Sequence, residues 1–424
     1  MEPERSLKLS IWEGVLAILF LNWSTGVMVT GYALTLGASP QALALLGALP
    51  FLAQLLAPLA LFLRGSRKAL AVRLNLLSRL LFLPAAFAAL LPESLRVPFL
   101  LLFAGLSQLL AAPVGVVWLS WMADLVPEAQ RGRYFGFRNA LLGLVGTLGN
   151  LLGGQVADRL PPPLGYQAVL LLGVAAGLLS ILLLRWQTEP PETPPPPARA
   201  ALALAWRDRA YRRYLGLVLL WYGAVMVGGP FVVPYFVRVG GFSMTEVGLW
   251  TVISATSGLL FGPLWGRLAD QKGHGIVLRG ASLAAALMPG LWLLGSEGFP
   301  WPIWLSALAD ALAWSGLGTA LVNAALAQAP REARNGYLAL FWLALGLGGI
   351  AGSLLAAKVA GLGWGPSPYH LPILLSLCLS IRTQRLPHRS KPKRRAHGLF
   401  GAPVVAQATT GYLRLLAALR LGRL

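Results

Sequence analysis

Residues 127–137 read "PEAQRGRYFGF", and residues 330–341 read "PREARNGYLALF". The two stretches share proline, arginine and tyrosine in one register, and the agreement continues downstream. The matched pairs, each 203 positions apart, are Pro127 and Pro330, Arg131 and Arg334, Tyr134 and Tyr337, Gly143 and Gly346, Gly146 and Gly349, Gly149 and Gly352, and Leu151 and Leu354. Internal repeats fix the architecture of a chain, because each copy folds as one structural unit. The sequence therefore predicts two copies of one unit.

The composition is typical of a membrane protein. Hydrophobic residues make up 56% of the 424 residues and charged residues 12%, whereas a soluble domain is about one quarter charged. The apolar residues occur in runs of about 20, enough for a helix to cross a hydrocarbon core about 30 Å thick. The predicted fold class is therefore an all-α multi-pass membrane protein embedded in the lipid bilayer.

Twelve apolar runs are candidate spans, with ends defined to about three residues. The first is expected to remain as a helix, because the N-terminus lacks the basic region and the cleavage site of a signal peptide. The last one is short. The predicted spans are 11–35, 40–63, 71–92, 97–123, 134–157, 166–185, 213–237, 246–268, 277–296, 301–324, 337–358 and 369–381.

The formal net charge of +20 invites a nucleic-acid interpretation, but the placement of the charges favours a topological one. Alternate loops, at 64–73, 128–138, 185–213, 267–279 and 331–334, hold eighteen Lys and Arg residues, and the intervening loops hold four. Short cytoplasmic loops of membrane proteins carry such an excess. We therefore expect a plasma (inner) membrane protein with both termini in the cytoplasm and no nucleic-acid partner.

The proline run at 194–197 divides the chain, because it cannot be helical and is typical of an extended spacer. We predict an N-terminal six-helix bundle over 1–185, a cytoplasmic Pro-rich linker over 186–212 and a C-terminal six-helix bundle over 213–381. A short amphipathic stretch at 201–213 is expected at the cytoplasmic interface.

Residues 382–424 form a basic cytoplasmic tail with ten Lys and Arg residues and no acidic one. Two explanations remain open. The tail lies on anionic lipid as an amphipathic helix, or the reading frame departs from the ancestral one near residue 381 and leaves the tail disordered.

Three short motifs predict helix starts. Ser39 followed by Pro40 is typical of an N-cap and a first helical residue, and Ser243 with Glu246 forms a capping box at the matching place in the second half. Ser10 and Glu13 have the same spacing, which favours a structural role for Glu13 at the start of the first helix.

The stretch "GRLADQKGH" at 266–274 ends the eighth predicted span. It resembles the loop motif of the major facilitator superfamily, although Gln271 stands where a basic residue is usual. The resemblance covers nearly the whole chain. It implies two pseudo-symmetric bundles of six helices, with the last helix truncated here, and a cavity between them that is exposed to each side of the membrane in turn.

By the same resemblance, Asp270 pairs with a neighbouring cation and latches the cytoplasmic ends of the bundles in one state. An anion at a helix C-terminus needs such a partner, because the helix dipole disfavours it. A solvated loop that follows the positive-inside rule is the alternative. The implied conformational gate comprises Gly266, Arg267, Asp270, Lys272, Gly273, Arg131 and Arg334.

Asp310 is the candidate for proton coupling. It lies near the middle of the tenth span with Trp314 on the same face, and the resemblance places the first, fourth, seventh and tenth helices around the cavity. Ionisable groups this deep are costly unless they are paired or functional. A buried aspartate paired with an arginine for packing is the alternative.

The remaining cavity candidates are polar and aromatic residues on those helices, and they suit an organic solute better than a bare inorganic ion. Core packing explains any single tryptophan equally well. The candidates are Asn22, Gln108, Trp118, Trp121, Trp221, Tyr222, Trp314 and Asn323.

The sequence lacks the motifs for ATP hydrolysis and for metal binding. It contains no Gly-Lys-Ser/Thr, so ATP hydrolysis at a phosphate loop is excluded. Its four histidines form no metal-ligand pair at helical spacing. Catalytic residues, a metal and a cofactor are therefore not expected, and we predict that the protein is not an enzyme. We also predict that it is a monomer.

The fifth span contains "GLVGTLGNLLGG" at 143–154, which resembles an exporter motif except that Asn150 occupies its proline position. Close packing of a glycine-rich helix explains the stretch equally well. The sequence thus favours a secondary transporter that exports a small organic solute in exchange for protons, an antiporter. Two alternatives stay open: a sugar or metabolite uptake permease, and a non-transporting membrane sensor or scaffold.

Overall fold

The computed structural model describes residues 2–56, 63, 65–127, 130–190, 198–272, 274–330 and 333–384. Nearly all of them are helical, and the extended pairing among them is an isolated bridge between Ser296 and Phe299. The predicted all-α membrane fold is confirmed.

The first half of the chain forms seven helical segments. A break at Gly26 separates α1 from α2 within one span, and a 3-10 helix over Leu83–Leu90 continues α4. The segments are α1 (Glu2–Thr25), α2 (Val27–Thr35), α3 (Pro40–Leu56), α4 (Arg67–Phe82), α5 (Glu93–Leu125), α6 (Arg131–Arg159) and α7 (Leu164–Arg185).

The second half begins with a short helix before its spans. A 3-10 turn over Gly229–Phe231 joins α9 to α10 in one span. The segments are α8 (Ala198–Arg207), α9 (Arg209–Gly228), α10 (Val232–Arg238), α11 (Met244–Lys272), α12 (His274–Leu294), α13 (Trp301–Gln328), α14 (Arg334–Ala360) and α15 (His370–Gln384).

Ten spans of the described chain are long and apolar enough to cross a membrane, and the helices Pro40–Leu56 and His370–Thr383 are apolar but shorter. Helix α15 has 15 residues, or roughly 22 Å of helix, less than the hydrocarbon thickness of about 30 Å. The described chain ends at Gln384, so the short last span stays a prediction. Of the tail predicted at 382–424, residues 382–384 belong to α15 and the rest lies outside the described residues, as do residues 57–62 of the predicted second span.

Two of the three predicted helix starts are confirmed. The Ser39 hydroxyl accepts the Ala42 amide at 3.2 Å. In the capping box, the Ser243 amide donates to Glu246 Oε2 at 2.8 Å, and the Glu246 amide donates to Ser243 Oγ at 3.2 Å. The start predicted at Ser10 is wrong, because α1 already begins at Glu2.

The linker is attached to a different half at each end. Thr188 and Glu189 bond the first half: the Trp121 indole donates to the Thr188 carbonyl at 2.9 Å, and the Lys68 amide donates to Glu189 Oε1 at 3.2 Å. At the other end, Asp208 caps α9 and accepts the Tyr337 hydroxyl of α14 at 3.0 Å. We call this end of the molecule the linker side and the opposite end the far side.

The two halves meet along a seam of two helix pairs, α3 with α14 and α6 with α11. Glycines permit the close approach. A Cβ atom built at Gly248 of α11 would lie 2.8 Å from the Leu151 Cα atom of α6, and one at Gly349 of α14 would overlap the Phe51 ring of α3. Small residues at such crossings allow helix backbones to pack closely in a membrane.

Within each half, the repeat preserves one glycine-mediated helix contact. Gly149 of α6 faces Trp23 of α1, and its repeat partner Gly352 of α14 faces Met226 of α9. Trp23 and Met226 are themselves 203 positions apart. The same helix contact is therefore built twice, which supports the duplication predicted from the sequence.

Candidate functional site

Asp310 lies ten residues into the 28-residue helix α13. Its carboxylate accepts the Ser254 hydroxyl of α11, and Trp314 lies one turn further along α13. Among the described residues, no lysine, arginine or histidine forms an ion pair with it. The Ser254 hydroxyl is neutral, so the arginine pairing considered as an alternative for this aspartate is not seen among the described residues.

Asp310 opens onto a cavity of about 250 Å³, which we call the carboxylate cavity. Its walls come entirely from the second half, whereas the resemblance placed Asp310 in a cavity between the halves. Tryptophans and methionines dominate the lining. The lining residues are Val225, Met226, Gly229, Val232, Trp250, Ala285, Met288, Pro289, Trp292, Asp310, Trp314 and Ser376.

An aromatic chain connects the carboxylate cavity to the seam. The Trp314 ring lies 6.3 Å from Trp221, Trp221 lies 6.1 Å from Tyr222, and Tyr222 lies 5.6 Å from Phe51 of α3. The structure thus brings together three predicted aromatic residues and Asp310. Phe51 was not among the predicted candidates, because its helix is not one of the four that the resemblance places around the cavity.

A buried ion pair in the first half was missed by sequence reasoning. Arg138 of α6 bonds Glu13 of α1 at 3.3 Å and the Ser10 carbonyl at 3.2 Å, and both charged side chains are less than one tenth exposed. The guanidinium also lies 4.3 Å from the ring centre of Trp118. Glu13 is therefore the partner of a buried arginine rather than a cap.

Arg79 lies close to this pair. It is buried, bonds the side chain of Asn75 one turn earlier in α4, and stacks 4.7 Å from the Phe20 ring centre. Two arginines and one glutamate thus share the interior of the first half. The sequence shows the three residues as isolated charges in apolar runs, but their spacing does not indicate that they lie close together in the fold.

The other predicted cavity residues have different surroundings. Asn22 donates to the Gly146 carbonyl at 3.0 Å and so ties α1 to α6. Trp121 is fully buried on the linker side and bonds Thr188, so it packs in a core rather than lining a cavity. The Gln108 carbonyl oxygen is buried with no hydrogen-bond partner in the described chain, and Asn323 is half-buried.

The predicted gate is described only in part. Arg267, Lys272 and Arg334 are exposed on the linker side, and Gly273 lies outside the described residues. Gly266 faces open space in the described structure, since a Cβ atom built there would meet no heavy atom within 4 Å. Asp270 and Arg131 lie on α11 and α6.

On the far side, Asp158 at the end of α6 binds the start of α11 in the other half. Its carboxylate accepts the Met244 amide at 3.1 Å, and it accepts the Thr245 amide and hydroxyl at 2.6 Å each. Arg238 adds a bond to the Leu34 carbonyl at 3.3 Å. We call the Asp158 contacts the far-side latch, because they join the two halves through polar bonds that a relative movement can break.

The sequence profile described as Major Facilitator Superfamily matches residues 12–353 and 229–421. The chain belongs to the major facilitator superfamily. The match covers both six-helix halves, so the resemblance inferred from the loop motif is confirmed at the level of the family.

Two curated relatives match about half of their own length. An "Uncharacterized MFS-type transporter YcaD" from Escherichia fergusonii is 29% identical over 185 residues, which cover 40% of this chain and 44% of that protein. A "Multidrug resistance protein MdtG" from Dickeya zeae is 28% identical over 211 residues, or 46% of this chain and 50% of that protein. The chain thus spans about half the length of the curated relatives it matches.

The fold of this superfamily member is also similar to solved structures. A crystal structure of a point mutant of the nucleoside transporter NupG superposes with a TM-score of 0.72 at 14% identity, covering 89% of this chain and 98% of NupG. At that identity the likeness concerns the fold alone.

Proposed function

We propose that the protein is a secondary transporter that exports a small organic solute in exchange for protons by alternating access. The observation that carries the proposal is Asp310: a carboxylate within a membrane span, lining a cavity and bonded to neutral groups alone. Such a group is costly in a bilayer unless it exchanges a proton or meets a cation.

Alternating access requires two bodies that can part. The halves of this chain are joined by glycine-permitted contacts and by the polar far-side latch, and polar bonds of this kind exchange readily with water. We take 1–185 and 213–381 as the moving bundles and the linker side as cytoplasmic. A monomer contains both bundles and is the proposed transporting unit.

Asp270 is the proposed linker-side latch in the state in which the far side is open. We expect Asp270→Asn to abolish transport at normal expression. Asparagine has no negative charge, so the latch in the state with the far side open would lose its ion pair. Gln271→Ala, at the exposed neighbouring position, is the matched control. Normal transport by the Asp270 variant would contradict the proposal that Asp270 is the linker-side latch.

Solute counterflow in proteoliposomes tests the proposed function. Vesicles with the purified protein and an unlabelled solute panel inside are expected to accumulate at least one labelled solute, and accumulation should respond to an imposed pH gradient. A response to the solute without a response to pH would favour a uniporter-type permease. No counterflow with any solute would favour a sensor or scaffold and overturn the proposal.

A further inference from the structure

The carboxylate cavity carries a negative group with no positive partner. Asp310 accepts a hydrogen bond from the Ser254 hydroxyl, which is neutral, and no ion pair of the described chain includes it. An unpaired carboxylate away from water is stabilised either by a proton or by a cation that enters the cavity.

Tryptophan rings form the walls around this carboxylate. The Trp250 indole donates to the Ile303 carbonyl at 3.0 Å and to Ser306 at 3.1 Å, and the Trp292 indole donates to Ser306 at 3.1 Å. Ser306 is fully buried. Because these N–H groups are occupied by partners in the protein core, the part of each ring that reaches the cavity is aromatic carbon.

The rest of the lining adds polarisable surface and few hydrogen-bonding groups. Met226 and Met288 supply thioethers, which adapt to irregular ligands. The Ser376 hydroxyl already donates to the Ala224 carbonyl at 2.8 Å. A sugar or another polyhydroxylated solute would find too few free donors and acceptors here, and one carboxylate does not make a metal site.

We propose that the carboxylate cavity binds a small organic cation, a protonated amine or a quaternary ammonium ion, with Asp310 as its counter-ion. Trp250, Trp292 and Trp314 are the aromatic walls. Aromatic rings attract such cations through their negatively polarised faces, most strongly when water is excluded. The cavity volume of about 250 Å³ limits the ligand to a small one.

This inference rests on the proposed function, because it names the solute class for the same carboxylate. A proton and the organic cation compete for Asp310, so that the arrival of one favours the departure of the other. The exchange keeps the charge of the cavity constant, which is what a buried carboxylate requires at each stage of a transport cycle.

Calorimetric binding to the purified full chain in detergent tests the proposal without requiring transport. The probes are choline, tetraethylammonium and benzyltrimethylammonium, with 3,3-dimethylbutan-1-ol as the uncharged counterpart of choline. We expect at least one cation to bind at pH 8, to bind about ten-fold more weakly at pH 5 as protons compete, and the neutral alcohol not to bind. Failure of all three cations to bind would overturn the proposal.

Variants locate the binding. Asp310→Asn should abolish the pH dependence and weaken cation binding about ten-fold, and Trp292→Leu should weaken it while Trp292→Phe, which keeps a ring, weakens it less. Trp342→Leu is the control, because Trp342 is 46% exposed and lies on α14, outside the lining. Equal binding by the wild type and Asp310→Asn would place the cation elsewhere and overturn the assignment.

The two proposals fail separately. Cation binding without counterflow would leave this inference standing and contradict the transporter. Counterflow of an uncharged solute, without binding of any cation, would support the transporter and contradict this inference.

Discussion

At the scale of single residues, Arg138 shows how tightly a buried charge is fitted into this protein. Its guanidinium contacts Glu13, the Ser10 carbonyl and the Trp118 ring. The space that it occupies exists because Gly14 has no side chain: a Cβ atom there would lie 2.8 Å from the Arg138 Cζ atom. The pair therefore depends on a glycine next to its own glutamate.

We expect Gly14→Ala to displace the Arg138 guanidinium and to lower the apparent melting temperature in detergent. Breaking a buried pair costs about 3 kcal/mol, whereas replacing a helical glycine by alanine gains about 1 kcal/mol at most. Gly136→Ala, two residues before Arg138, is the control, since a Cβ atom there meets nothing within 4 Å. Equal melting temperatures for the two variants would contradict this account.

Asp310→Asn tests proton coupling directly. The amide keeps the size of the side chain but cannot bind and release the proton, so the ratio of transport rates with and without a pH gradient should fall to about one. Gly318→Ala, on the same helix and with open space at its Cβ position, should keep the wild-type ratio. An Asp310 variant that still responds to the gradient would assign the proton to another group.

At the scale of helices, α11 and α3 start in different ways although the repeat relates them. Helix α3 begins with Pro40, which has no amide hydrogen, and Ser39 caps the next turn within the same half. In α11 the first two amides bind Asp158 of the other half. The repeat partner of Asp158 is Gly361, which has no side chain; a Cβ atom built there would lie 2.9 Å from the Gln41 Nε2 atom. The carboxylate latch thus exists at one of two related crossings.

We expect Asp158→Ala to loosen the start of α11. Loss of an N-terminal cap costs about 1 kcal/mol, so hydrogen exchange of the amides at 244–247 should rise about five-fold. Asp158→Asn retains an acceptor oxygen without the charge and should have a smaller effect. Unchanged exchange in the alanine variant would indicate that water replaces the latch at no cost.

At the scale of the whole molecule, the repeat predicted the two-bundle fold well and the chemistry poorly. The pair Gly149 and Gly352 makes an equivalent helix contact in the two halves. In contrast, Gly146 faces Asn22 of its own half, and its partner Gly349 faces Phe51 of the other half. The buried charges are not duplicated: the partners of Glu13, Arg138 and Asp310 are Gly216, Phe341 and Ser107. Which charged side chains meet depends on helix rotation over separations such as the 125 residues between Glu13 and Arg138, and periodicity does not specify that rotation.

The tryptophan walls were missed for a related reason. Trp250 and Trp292 lie on α11 and α12, helices that the resemblance does not place around the central cavity. Their chain separation hides the fact that both indoles bond the same Ser306 hydroxyl. Only the three-dimensional arrangement shows that they share a wall with Asp310.

A reversible cross-link across the far-side latch tests alternating access of the whole molecule. In a Cys378→Ser background, Asp158→Cys with Thr245→Cys places two thiols where the native side chains lie 2.6 Å apart. We expect oxidation to stop transport, because the halves can no longer part there, and a reductant to restore it. Each single cysteine variant should be indifferent to oxidation. Transport by the cross-linked protein would exclude a movement at this seam.

The linker attachments have a practical consequence. Glu189 is bonded to its own half and Asp208 to the other, so every hydrogen bond described for the linker lies within one half. A gene cut between codons 190 and 198 would therefore encode two fragments that each retain a complete set of linker contacts. We expect the co-expressed fragments to find each other in the bilayer through the glycine crossings of the seam, giving a split protein whose pieces can be labelled independently.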